Sequence, residues 1–417
     1  MRTKGQATIF IIIGIILLLG ASIYFATQTD VIKRTLTTEL TVTERTPDEL
    51  LPVRSYVENC VRTVLEEALD TAMQHGGYTS TENFRSNPTF PTDNSNALDL
   101  LPPSQILVPY WYYMESGNNC RENCNFRSEM PGLSGQNSIE QQLENHVNRN
   151  LVACLDNFES FSEEGFTITP QDVVKSETLI RDKDVQIRVT YPLKVAKEDL
   201  SADMKEFGTN VPSDLTELYT MAKELRDYEM STCFLEKHTF DYFSQFMGIE
   251  NPQTDLPPLS KTVSGGFVKK IWLLPQVKEN VKQKTFSAVK LIGIFNQTGF
   301  TWPLAQPGSY QYVQQGILDQ NIFYPFKQFH AAEVSLDYFP TFWEPYLSIK
   351  PSEGALLTAS QEIKGPGGPL GALFSTITFT RRYQFSYDYS FPVMVEIRKP
   401  LQDKEQVFRI ALEANTR

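Results

Sequence analysis

The sequence predicts an α+β body carried on one N-terminal membrane helix, and three observations predict it. Residues Ala7 to Ala26 form an uncharged apolar run. Two later stretches, Leu51 to Gln74 and Ser138 to Phe161, repeat apolar residues at intervals of three and four, the period of a helix with one buried face. Between Tyr383 and Ile397 the aromatic and aliphatic residues instead fall on every second position, the period of a strand.

At about 1.5 Å of rise per residue the first run reaches across a hydrocarbon core of about 30 Å. Lipid offers the backbone no hydrogen-bond partner, so such a run is expected as a helix, with membrane lipid as the partner of residues 7–26. Arg2 and Lys4 precede it, while Asp30, Lys33 and Arg34 follow; the balance of basic residues favours a cytoplasmic N-terminus by a narrow margin. Lys4-Gly5-Gln6-Ala7-Thr8-Ile9-Phe10 resembles the archaeal class III leader of type IV pilin-like proteins. That resemblance implies processing at Gly5 and Gln6, with the apolar helix kept after cleavage. It covers the first 26 residues, and the chain departs from it in having no acidic residue near the start of the helix, which counts against filament assembly. An uncleaved anchor is the alternative. A cleaved secretory peptide fits poorly, because the apolar run is long and no small-residue cleavage site stands out.

Residues 27–46 are rich in threonine, and β-branched side chains lower helix propensity. An extended stalk is expected. The helix over Leu51 to Gln74 has Pro52 in its first turn and Gly76-Gly77 as its stop; Glu58, Arg62, Glu66 and Asp70 mark its polar face. A loop-rich insertion follows to Asn137. Within it, Tyr110, Trp111, Tyr112 and Tyr113 admit two readings: rigid amphipathic faces for a glycan or partner, or a strand that packs the loop on the core.

Ser138 to Gln141 reads as a capping box opening a second helix to Phe161. Val185 to Leu193 alternates as a strand after a turn at Arg181 to Asp184. Leu200 to Met247 reads as one long or two shorter helices. Ala288 to Phe295 is a strand or a buried helical turn, too short for a second membrane span. The Pro-rich Asn251 to Leu259 marks a boundary, dividing the chain into 1–26, 27–46, an α+β domain at 47–250 and a β-rich domain at 251–417. In the last, strands are expected at Val334 to Tyr338, Tyr383 to Ile397 and Phe408 to Leu412, with Pro392 implying an edge or a bulge. No internal repeat is detectable.

The five cysteines match no usual zinc or redox spacing. Cys60 and Cys154 lie on the apolar stripes of the two helices and can meet across them; Cys120 and Cys124 sit four apart in a polar loop. Disulfides among these four are expected, which would place the body outside the cytosol. Buried free thiols and a four-cysteine zinc site are the alternatives, and Cys233 is left over. A net charge of -12, from 38 basic and 50 acidic residues, gives no basic footprint, so nucleic acid is not an expected partner.

Catalytic patterns are thin. His75, His146, His238 and His330 show no metal spacing beyond His238 with Asp241, where chance pairing on a helix face is the simpler account. Gly132 to Gly135 misses a nucleophile elbow, Gly365 to Gly371 lacks the lysine of a phosphate cradle, and Glu163-Glu164 would need a second, facing carboxylate to attack a glycoside. No catalytic residue, metal ligand or cofactor is nominated. Asn296-Gln297-Thr298 is a single glycosylation sequon.

Gly76-Gly77-Tyr78, Pro109 to Tyr113, Asn150 to Phe161 and Phe391 to Ile397 look like segments of a group of membrane-anchored archaeal proteins that share the Lys-Gly-Gln leader and have no assigned activity. The resemblance implies location only. The expectation is a single-pass, extracytoplasmic protein with a structural or binding role at the cell surface, its partners other envelope proteins or glycans. A pilin-like filament subunit and an anchored hydrolase are the alternatives.

Overall fold

The computed structural model describes residues 46–104, 106–264, 268–292, 332–363, 380–402 and 404–416. The apolar run, Gly5 and Gln6, the stalk to Arg45, Asn296, His330 and the loop at Gly365 to Gly371 lie outside the described residues, and no described helix is long and apolar enough to cross a membrane.

Helix α1, Leu51–Gln74, has the expected bounds. Val53, Val57, Cys60, Val61, Val64, Leu65 and Ala68 are buried on one side, and Pro52 sits in the first turn, where its missing N–H is one of the donors a helix leaves unpaired. The stop is steric. Gly77 has φ +99°, and a Cβ there would lie 2.6 Å from Pro131 Cγ. Gly77→Ala is therefore expected to cost roughly 1–3 kcal/mol, read as a lower urea midpoint at unchanged m-value.

Strands β1, Ala97–Asp99, and β2, Leu107–Met114, follow. Helix α2, Ile139–Leu155, is capped by Ser138, whose Oγ accepts from Gln141 N at 3.2 Å, while Gln141 Oε1 accepts from Asn137 N at 2.7 Å. It ends six residues short of the expected Phe161, because Asp156, Asn157 and Phe158 all take positive φ. This break turns the chain so that Phe158 and Phe161, 6.2 Å and 5.2 Å away, both pack on Tyr56 of α1.

Next come β3, Phe166–Pro170, β4, Lys175–Ile180, β5, Asp184–Lys197, and β6, Leu200–Pro212. The last corrects the expected helix from Leu200: its first thirteen residues are a strand, paired with β5 from Asp184↔Pro212 to Lys197↔Leu200. Gly208, Thr209, Val211 and Pro212 are poor helix formers, and a long ready-made partner edge decides the rest. Two helices then follow as expected, α3, Leu215–Thr232, and α4, Phe234–Ser244, split at Cys233 in the left-handed region. Helix α5, Leu274–Ile292, resolves the described part of the Ala288 patch as buried helix.

The chain closes with β7, Glu333–Asp337, β8, Tyr346–Lys350, β9, Ser386–Leu401, and β10, Lys404–Asn415. The main sheet runs β1-β2-β10-β9-β7, with β8 also on β9. Strands β2 and β10 are parallel, Ala411 facing Tyr110 and Leu412 facing Tyr112. The sheet therefore crosses the expected boundary at 251, and one hydrophobic core runs through residues from both sides of it. The Pro-rich segment is itself packed down, Tyr387 Oη donating to Pro257 O at 2.6 Å.

Pro392 is not on an edge strand. It faces Glu413 on β10, and on the other side it falls in the gap between β8, which ends opposite Ser390, and β7, which begins opposite Met394. Strand β5 repeats this arrangement. Its N-terminal half carries β4, its C-terminal half carries β3, and Pro192 sits in the gap. Both long strands then turn back in hairpins whose first turn residue, Glu198 or Gln402, has positive φ. The sequences at the gap are Tyr191-Pro192-Leu193-Lys194-Val195 and Phe391-Pro392-Val393-Met394-Val395. The fold thus contains one unit twice, an internal repeat hidden by connections of very different length.

Candidate functional site

Cys60 and Cys154 are joined across α1 and α2 with Cα atoms 5.8 Å apart, and Cys120 and Cys124 are joined within their loop at 5.9 Å. The four expected cysteines are thus two disulfides, which sets aside both the free thiols and the zinc site. Cys233 is a free, exposed thiol. No group of three or more His, Cys, Asp or Glu side chains suited to a metal occurs among the described residues.

The aromatic strand is core. Tyr110 and Trp111 are 0 % exposed and Tyr113 is buried. Tyr110 Oη donates to Pro91 O at 3.1 Å, Trp111 Nε1 to Gly76 O at 3.1 Å, and Tyr113 Oη to Glu129 Oε1 at 2.9 Å. Trp111 meets Tyr219 and Phe408 edge-on. Of the four rings only Tyr112 reaches the surface, stacked on Phe126 with centroids 5.4 Å apart. Of the two readings of this segment, the structure fits the packing strand: the parallel seam with β10 and the bonds to Pro91 O, Gly76 O and Glu129 consume the faces and tips that a ligand would need.

The described histidines do not converge. His238 Nε2 bonds Ala288 O at 3.0 Å, and burial lowers the pKa of the ring. His75 Nδ1 bonds Leu107 O at 2.6 Å. Gly132 and Leu133 offer their carbonyls to Ile139 N and Glu140 N at the start of α2, so this loop caps a helix, and Glu163 and Glu164 are exposed.

The structure gathers a group that sequence reasoning missed, three glutamates at the elbow between α3 and α4. Glu229 is 1 % exposed, Glu236 9 % and Glu413 1 %. Glu413 is fully engaged, accepting from Met114 N at 2.9 Å, Ser390 Oγ at 2.7 Å and Asn415 Nδ2 at 2.9 Å. Glu229 Oε2 accepts from Leu235 N at 3.1 Å, and Glu236 Oε1 from Asn415 N. That leaves Glu229 Oε1 and Glu236 Oε2 buried with no hydrogen-bond partner among the described residues. Burial, then the nearby charge of Glu236, push the Glu229 carboxyl far above its ordinary range, against the opposing Leu235 and Phe234 amides. The same desolvated charges, after burial itself, raise the Cys233 thiol. This joint is closed to solvent, so it stores a proton without offering it to a ligand. Its signal was the position of Glu229 on the stripe of Leu218, Ala222 and Leu225, where a charged residue breaks the helical pattern.

Open space lies elsewhere. A cleft of about 630 Å³ separates the polar face of α1 from the β9–β10 turn, lined by Arg62, Glu66, Asp70, Gln402, Lys404 and Gln406 among others. Lys404 Nζ lies 3.9 Å from Glu66 Oε2. Burial raises the Asp70 carboxyl, with Lys404 lowering it and Glu66 raising it to lesser degrees. With both signs of charge and two side-chain amides, the cleft suits a small polar ligand. Comparison with protein-family models, with curated proteins and with solved structures found no match.

Proposed function

We propose that the protein is a single-pass, membrane-anchored component of the archaeal cell surface, its disulfide-bonded α+β body lying outside the cytosol in a structural or binding role. The observation that carries this reading is the Cys60–Cys154 bridge. It sits in the core between two helices, where reduction in the cytosol would strip the body of a main constraint. The uncharged run at 7–26 supplies the anchor, and the leader-like Lys4 to Phe10 the route to it. The polar cleft beside α1 gives the body a place to hold a small polar ligand.

The test is topological. In sealed native membranes with the outer face exposed, external protease should degrade the body and leave the apolar run protected. Mass spectrometry without reductant should recover Cys60 linked to Cys154 and Cys120 linked to Cys124. A body protected until the membrane is opened, or the four cysteines recovered as thiols, would overturn the reading.

A further inference from the structure

We propose that the exposed apolar ribbon formed by Val268, Ile271, Leu273 and Leu356, with the lysines around it, seats on the surface of a bilayer of anionic phospholipid.

The ribbon is apolar on the side that faces water. Trp272–Leu273 and Leu356–Leu357 are two short antiparallel strands, with Trp272 opposite Leu357 and Leu273 opposite Leu356. Trp272 and Leu357 point inward and are fully buried, the indole lying edge-on to Tyr383 and Phe385. Alternation along a strand sends Leu273 and Leu356 to the opposite face, where a sheet with one covered side ordinarily carries polar residues. Both are exposed, Leu273 by 56 %. Ile271 is exposed as well, and Val268, at 73 %, is the most exposed large apolar side chain among the described residues. The base beneath them is fixed: Lys270 N donates to Tyr383 Oη at 3.0 Å, and Leu274 N to Ala355 O at 2.8 Å. Apolar tips held together on a rigid base mark a contact surface.

Charge selects the occupant. In a chain of net charge -12, the stretch from Leu256 to Ile292 carries seven lysines and one acidic residue, Glu279. Lys282 and Lys290 turn to Glu344 and Asp337, and Lys284 lies over the Phe246 ring. Lys261, Lys269, Lys270 and Lys278 belong to the ribbon and the segments that flank it. Their acidic neighbours Glu250 and Glu362 are already engaged, with Lys261 at 3.2 Å and Lys269 at 3.8 Å, and Glu353 stands in the turn before Leu356. Protein interfaces are depleted of lysine. At a lipid surface the same side chain fits, its stem lying along apolar neighbours while the ammonium stays at headgroup level. The inference rests on the anchored reading above only in that an anchor keeps a membrane at hand.

The test uses the full chain with Cys233→Ser, the four bridged cysteines left in place, and Val268→Cys carrying an environment-sensitive dye. In vesicles of phosphatidylcholine and phosphatidylglycerol in equal parts, the dye should shift to the blue and be quenched by spin-labelled acyl chains. The same dye on Val173→Cys, a position 66 % exposed between β3 and β4, should stay in water. Lys269→Gln should lower the ratio of quenched to unquenched dye about 5-fold, the loss of one lysine's attraction to an anionic surface. Vesicles of phosphatidylcholine alone should remove most of the quenching. A Val268 dye that remains in water, or equal quenching at Val173, would refute the proposal, and a blue shift without quenching by lipid would overturn it in favour of a protein cover. Loss of the chain from the vesicles on alkaline washing would count against the anchor at 7–26 instead, while quenching measured before the wash still reads the ribbon.

Discussion

Glu229→Gln is expected to stabilise the protein at neutral pH, and by more as the pH rises. The side chain that looks most like a buried functional acid is, on this view, a liability that the fold tolerates. In the unfolded chain Glu229 loses its proton near the ordinary value of 4.5. In the folded protein burial and Glu236 hold that proton on. Below pH about 4.5 both states are protonated and the group contributes nothing. Above it the unfolded state is favoured by about 1.4 kcal/mol for each pH unit, until the folded carboxyl also ionises. Glutamine keeps the acceptor for Leu235 N, adds an amide donor beside Glu236, and has no proton to lose. Urea midpoints from pH 5 to 9 should therefore fall steeply in the parent and much less in Glu229→Gln, the two curves separating by about 3 kcal/mol over two units. Parallel curves would mean that burial does not hold a proton on Glu229 in the folded protein. The opposite sign belongs to Glu396, where burial raises the carboxyl but bonds from Arg409 and Arg398 outweigh it and hold the pKa low. That group stabilises the fold above its unfolded value and loses its contribution as the pH falls, so the two sites together give an optimum on the weakly acidic side.

The second large effect is expected from the disulfides, and the two should differ. Cys60 and Cys154 are 94 residues apart in sequence, so replacing both with serine frees a long loop in the unfolded ensemble, a loss of about 4–5 kcal/mol in the chain-entropy treatment. Cys60 is buried and Cys154 partly buried between α1 and α2, so serine at Cys60 adds an unsatisfied hydroxyl to the cost. Cys120 and Cys124 are 4 apart and lie in a surface loop, where the same treatment gives about 2 kcal/mol. Denaturation of each double variant, with and without reductant, checks the order. Reductant should erase most of the difference between parent and variants, and a larger loss from the short-loop pair would contradict the entropic account.

Much of this architecture was legible in the chain. The bounds of α1, the Ser138 cap, the alternation of β5 and β9, and the meeting of Cys60 with Cys154 follow from periodicity, capping chemistry and the placement of cysteines on apolar stripes. What escaped was set by partners distant in sequence. Leu200 to Pro212 is a strand because β5 offers it an edge, a fact absent from its own composition. The aromatic strand is buried because residues near the C-terminus run beside it. Pro392 suggested an edge by the rule that it cannot join a ladder, yet two short strands that stop on either side of it make a central position tolerable. The glutamate elbow was hidden for a similar reason: Glu229 was readable as an anomaly on its stripe, but its answer, Glu236, lies beyond a left-handed kink that periodicity does not reveal.

The parallel seam between β2 and β10 has a consequence for biosynthesis. Tyr110 finds its neighbour in Ala411, about 300 residues later, so the first sheet strands acquire their middle partner only after a long stretch of intervening chain has been made. Such non-local closure is slow and leaves adhesive surface uncovered meanwhile. Throughout that interval Tyr110 and Trp111 must wait with their hydrophobic faces unclaimed, and a nascent chain broken off before Lys404 would lack the strand that closes the seam.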